Sequence, residues 1–144
     1  MHICITSSGK NLDSLIDPRF GRCFYFLFLD TASPDNFKAV INRGMEAIRG
    51  AGVQSAQTVI DEGVEAVITG NIGPNSLMIL QQSGISVFQA SPSMTCRQAL
   101  EYFNNNQLKE ITTPGLAGFG FSSGGRGFGR RRFGGGFRRR SGWD

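Results

Sequence analysis

Seven consecutive residues, Asp17-Pro18-Arg19-Phe20-Gly21-Arg22-Cys23, place two guanidinium groups and a thiol at the mouth of a very apolar stretch, Phe24 to Leu29. Pro18 fixes the approach of the chain and Gly21 allows a tight backbone. Basic groups beside a thiol favour the thiolate, the form that binds metal or attacks. Arg19, Phe20, Gly21, Arg22 and Cys23 therefore point to capture of an anionic ligand, an iron-sulfur cluster among them, more than to ordinary packing.

Two further loops have the composition of ligand-binding turns. Thr69-Gly70-Asn71-Ile72-Gly73-Pro74-Asn75-Ser76 follows a buried-type strand and opens a helix. Gly70 and Gly73 let backbone come close to a ligand, and Asn75 or Ser76 can cap a helix whose free N–H groups favour an anion. Open α/β sheets place ligands at such strand ends. Taken alone, the simpler reading of this loop is a strand-to-helix turn that needs its glycines for geometry. Arg49-Gly50-Ala51-Gly52-Val53-Gln54-Ser55 also opens a helix, but it lacks the third glycine of a dinucleotide fingerprint. No GxxxxGK[ST] motif and no G-x-S-x-G elbow occurs, and His2 is the only histidine, so none of these loops holds an imidazole base.

The three cysteines are an odd number without CxxC spacing, so free thiols rather than a disulfide framework are expected. Cys96 shares a helical face with Ala99, Leu100 and Phe103 and reads as core, as does Cys4 within a short strand. Cys23 stands evenly between packing and ligation. One thiol cannot complete a four-ligand cluster shell, so a second copy, the cofactor's own groups or a partner would supply the rest.

Positioning these loops requires a body of alternating elements. The periodicity predicts strands over Ile3–Thr6, Cys23–Asp30 and Phe37–Asn42, with a turn at Thr31–Asn36. It predicts a helix over Gly50–Gly63 with Val53, Ala56 and Ile60 on one face. A strand over Val64–Thr69, a helix over Asn75–Ser83, a strand over Ile85–Phe88 and a helix from the Thr95 cap to about Asn105 follow. The first three strands suggest an antiparallel meander and the rest suggest βαβ crossovers, giving a mixed α/β sheet covered by helices. The Cys23–Asp30 strand is apolar on both faces and is expected to be central.

Charge divides the chain. Residues 117–144 carry seven arginines and one acid, whereas the preceding 116 residues carry 8 basic and 10 acidic side chains, a balance of −2. Residues 1–114 form the expected domain. Residues 115–144, almost all Gly, Arg, Phe and Ser, bury too little apolar area to offset chain entropy and are expected to be disordered when free. Interleaved Arg and Phe suit nonspecific nucleic-acid binding, an acidic protein partner or simple solubilisation. No apolar run reaches the ~18 residues of a membrane span, and the N-terminal residues lack a secretory pattern. A cytoplasmic protein, monomeric or weakly dimeric, is the expectation.

Three ordered pieces resemble the dinitrogenase iron-molybdenum cofactor biosynthesis family. They are Leu12-Asp13-Ser14 with Arg19-Phe20-Gly21-Arg22-Cys23, then Gly50-Ala51-Gly52-Val53-Gln54-Ser55-Ala56-Gln57, then Val67-Ile68-Thr69-Gly70-Asn71-Ile72-Gly73-Pro74-Asn75. The resemblance implies a ribonuclease H-like three-layer fold with a mixed five-stranded sheet. It also implies a non-enzymatic carrier or scaffold for an iron-sulfur or iron-molybdenum cofactor precursor, working with a metallocluster assembly or acceptor protein. The implied site lies where Arg19–Cys23, Gly50–Gly52 and Gly70–Asn75 converge, with Cys23 as metal ligand. Many members carry histidine before the Phe-Gly-Arg segment and some near the middle glycines; here those places hold Arg19 and Arg49. The competing expectation is a nucleic-acid-associated protein acting through its tail. An enzyme ranks last, because no nucleophile–base pair or dense carboxylate site is legible.

Overall fold

The computed structural model describes residues 1–43 and 51–113. Nine elements follow in order: β1 (His2–Ser7), β2 (Tyr25–Asp30), β3 (Ser33–Ile41), α1 (Ala51–Asp61), β4 (Ala66–Thr69), α2 (Pro74–Gln82), β5 (Ser86–Gln89), α3 (Cys96–Asn104) and β6 (Lys109–Glu110). The strands form one mixed sheet in the order β3-β2-β1-β4-β5-β6. β1 pairs antiparallel with β2 and parallel with β4, and β4 pairs parallel with β5. The meander and the crossovers thus meet on β1, whose residues Ile3 to Ser7 are all buried.

Alternation along β2 builds both cores. Phe26 and Phe28 face one cluster with Cys4, Val67 and Val87, closed by Ala56 and Val59 of α1 and Leu77 and Leu80 of α2. Leu27 and Leu29 face the other, with Ile3, Ile5 and Ile68, closed by Cys96, Ala99 and Leu100 of α3 and by Leu12 and Ile16. Because side chains alternate across a strand, a single apolar run feeds helices on both faces.

Four expectations are corrected. The sheet has six strands, not five. β6 is two exposed residues with no apolar pattern, held by backbone pairing of Phe88 with Glu110 and Gln89 with Lys109. β3 begins at Ser33 instead of Phe37, because the Asp30 carboxylate accepts the Ala32 N–H (2.9 Å) and closes the turn early. Pro34 is tolerated because β3 is an edge strand. The buried face of α1 is Ala51, Ser55, Ala56 and Val59, and Val53 is exposed, because the helix packs on its small residues. The N-cap of α2 is Gly73, with Pro74 in the first turn and no side-chain cap, so neither Asn75 nor Ser76 caps it. The Thr95 cap of α3 is present as a full capping box with Gln98, each residue's side chain bonding the other's backbone.

Gly50, Arg49 and residues 115–144 lie outside the described residues.

Candidate functional site

β1, β4 and β5 run in the same direction, so their carboxyl ends, Ser7, Thr69 and Gln89, lie at one end of the sheet. β2 is antiparallel to β1 and pairs Tyr25 with Ser7, which brings Cys23 to that end. β3 pairs Ile41 with Tyr25, which brings Asn42 there too. α2 starts from the same end, since it follows β4 directly. Topology alone therefore gathers the 17–23, 51–55 and 70–76 segments, at the place where open α/β sheets carry ligands.

Glycines let the three segments touch. A Cβ on Gly21 would lie 3.0 Å from both the Cα and the N of Gly52. One on Gly70 would lie 2.6 Å from the Pro18 Cα, and one on Gly52 would collide with the Ser76 hydroxyl. The contacts at Gly21 and Gly70 are against backbone, which cannot move aside like a side-chain tip. Gly73 differs: a Cβ there would meet nothing within 4 Å, and the residue is exposed. Gly21, Gly52 and Gly70 thus serve loop-to-loop packing, and Gly73 leaves open space at the start of α2.

Hydrogen bonds lock the same contacts. The Phe20 N–H donates to the Asn71 carbonyl (3.1 Å), and the Asn71 side-chain oxygen accepts the Ile72 N–H (2.9 Å). The Thr6 hydroxyl donates to the Asp17 carbonyl (3.0 Å), and its oxygen lies 3.0 Å from the Thr69 hydroxyl. The buried Asp17 carboxylate accepts the Arg19 N–H (3.1 Å) and stands 3.8 Å from the Arg19 Nε. The Asn42 amide, itself buried, donates to the carbonyls of Gly21 (3.2 Å) and Cys23 (3.0 Å) and accepts from the Ser55 hydroxyl (3.0 Å). Asn42 thereby ties the end of β3, the first turn of α1 and the Cys23 loop into one buried unit. Inside a low-dielectric interior such a satisfied network fixes one geometry.

Arg19 and Arg22 are exposed at this end, and the Arg19 side chain retains 60% of its accessible area. Phe20 is buried in the core beside Phe26, ring centroids 5.9 Å apart. Asn75 is exposed on the first turn of α2.

Cys23 departs from the thiolate expectation. It is fully buried, and its Sγ donates to the Phe20 carbonyl (3.3 Å). Burial raises its pKa well above the ordinary thiol value, the Asp17 charge adds to the rise, and Arg19 opposes it most weakly of the influences on it. Arg19 and Arg22 are exposed, so water screens their charge, and the Arg19 Nε faces the Asp17 carboxylate, while the thiol sits in the core. In this arrangement Cys23 is a protonated donor. Cys4 and Cys96 are also buried free thiols, Cys96 pushed up to about 11 by burial. Among the described residues no group of three His, Cys, Asp or Glu side chains could hold a metal ion.

Asn42 and Ser55 had no place among the residues singled out from sequence. A polar residue ending an apolar strand, and a hydroxyl at a buried helical position between Ala51 and Val59, were the signals available.

Comparison with known proteins shows the family and the fold. Residues 1–106 match the family described as dinitrogenase iron-molybdenum cofactor. The chain is 32% identical over 98 residues to an uncharacterized protein of Methanocaldococcus jannaschii, a match covering 67% of this chain and 82% of that one. The apo form of the orange protein from Desulfovibrio gigas superposes with a TM-score of 0.76 at 35% identity, covering 79% of this chain and 95% of that one. The NMR structure of a putative NifB protein from Thermotoga superposes with a TM-score of 0.68 at 33% identity, covering 78% of this chain and 94% of that one. The chain therefore belongs to the dinitrogenase iron-molybdenum cofactor family.

Proposed function

We propose that this chain binds and carries a preassembled anionic metallocluster, an iron-sulfur or iron-molybdenum cofactor precursor, and passes it to a metallocluster assembly or acceptor protein. The observation that supports this most is the meeting of the three family segments at the carboxyl end of β1, β4 and β5, with two exposed arginines beside them. The donor set fits a preassembled cargo better than a cluster built on the chain. The described residues offer charge and backbone donors rather than a ligand shell. Arg19 and Arg22 supply positive charge, and the uncapped start of α2, from Gly73 to Asn75, supplies N–H groups and the positive end of a helix dipole. Gly21, Gly52, Gly70 and Asn71 hold the shape of the proposed rim. Cys23 is the proposed metal ligand; its burial means that the 20–23 segment must shift before the sulfur reaches cargo.

The test is anaerobic incubation of the full chain with a preassembled, thiolate-ligated [4Fe–4S] cluster, followed by desalting and measurement of retained iron and the visible charge-transfer bands. The reading expects stoichiometric retention, reduced at least tenfold in an Arg19→Ala/Arg22→Ala variant. Undiminished retention in that variant overturns the electrostatic cradle. Undiminished retention in Cys23→Ser removes Cys23 as a ligand and leaves the cradle standing.

A further inference from the structure

The opposite end of the sheet holds a feature that the cargo reading does not use. An open groove of about 400 Å³ lies where β4 and β5 begin. Phe88, Phe103 and Leu108 form its apolar wall, with Phe88 and Phe103 packed edge to face at 5.1 Å. Two exposed acids, Glu65 and Glu110, also line it. An aromatic wall flanked by carboxylates fits a ligand that is both aromatic and cationic.

The chain carries such a ligand. The segment Arg126-Gly127-Phe128-Gly129-Arg130-Arg131-Arg132-Phe133 alternates the two chemistries that the groove offers partners for. Its departure point suits it as well. β6 runs antiparallel to β5, away from the cargo end, and the Ile111 N–H bonds the Val87 carbonyl (2.7 Å). The Gln81 side chain then donates to the Thr112 carbonyl (3.3 Å) at the last turn of α2. The chain thus leaves at the groove's end of the molecule, on the α2 face, and reaches the groove by rounding the β6 edge. Phe128 stands 15 residues beyond Thr113, a reach of up to ~50 Å when extended, several times the ~13 Å radius of gyration of a domain this size. The body's charge balance of −2 favours a strongly cationic segment over an acidic one.

We infer that residues 126–133 dock in this groove, with a phenylalanine against Phe88, Phe103 and Leu108 and arginines on Glu65 and Glu110. Docking there holds the basic segment at the far end of the sheet from Arg19 and Arg22, so the two positive regions of the chain do not face one ligand. The inference does not depend on the cargo reading.

The test places the photo-crosslinking analogue p-benzoylphenylalanine at position 128 or 133 of the full chain. At low salt, irradiation is expected to give an intramolecular crosslink to peptides containing Phe88 or Phe103–Glu110. That yield should fall at least fivefold in Glu65→Lys/Glu110→Lys, with far-ultraviolet circular dichroism confirming the fold. It should fall similarly near 1 M salt, where screening acts within ~3 Å. Crosslinks confined to other surfaces, crosslinks only between copies, a yield insensitive to both the charge reversal and salt, or no crosslink from either position overturns it.

Discussion

The two ends of this sheet are finished in opposite ways. At the carboxyl end of β1, β4 and β5, three segments press together through Gly21, Gly52 and Gly70, and hydrogen bonds join the 17–23 segment to each of the other two. At the other end an apolar wall is left open beside two exposed acids. The strands and helices are the same at both ends, so the difference is made by the connections. Glycine and buried amides yield a closed, fixed surface that presents charge. Large, half-buried apolar residues at the other end leave a groove among the described residues. A fixed end suits recognition of a rigid anion, because geometry need not be assembled on binding.

The comparison breaks most visibly at Gly70. Gly70→Val forces a branched side chain into the Pro18 backbone, where a single Cβ would already sit 2.6 Å from Cα. Overpacking of this kind is expected to cost about 3 kcal/mol, measured as a shift in the urea midpoint. Glu110→Gln at the open end, an exposed and isosteric change, should move it by less than ~0.5 kcal/mol. Equal effects would mean that the two ends are not differently packed.

Next in size is the polar lock. Asn42→Ala removes the amide that serves the Gly21 and Cys23 carbonyls and the Ser55 hydroxyl. Leaving buried partners unmet should cost about 2 kcal/mol, and amide exchange should quicken in residues 20–24 while β5 and β6 stay unchanged. Uniform quickening would show that Asn42 supports the whole fold and not this end.

An effect absent at neutral pH, and so the smallest there, sharpens the account of Cys23. Its folded pKa lies above the unfolded value, so its protonated form stabilises the fold below the unfolded pKa of ~8.5, and that contribution is lost as pH rises. Above pH ~9.5 the unfolded chain has released this proton and the native chain has not. The parent should then lose about 1.4 kcal/mol more stability per pH unit than Cys23→Ala, measured by denaturant unfolding from pH 8 to 10.5. Parallel pH profiles would show that the thiol ionises readily in the native state, as its arginine neighbours alone would suggest.

Much of this molecule was written in short-range pattern. The alternation Phe26-Leu27-Phe28-Leu29 announced a strand covered on both faces, and both cores are built on it. Thr95 with Gln98 announced a capped helix, and the capping box is present. The three glycine-bearing segments, in order, announced the family. β6 was illegible because two exposed residues joined by backbone pairing leave no side-chain periodicity to detect.

What the sequence determined by itself is the apolar strands and helices of the body, the two apolar faces and the family, because each depends on residue types at fixed local spacing. Tertiary structure alone decided what the segments do to one another. Sequence placed Arg19 and Arg22 beside Cys23, and a basic neighbourhood argued for a thiolate. Folding put the thiol in the core and left both arginines exposed, so burial outweighed charge. Likewise, Gly70 looked like an approach for a ligand, and the fold filled it with the backbone of Pro18. Adjacency along a chain fixes neither depth nor direction; these come from contacts between residues tens of positions apart.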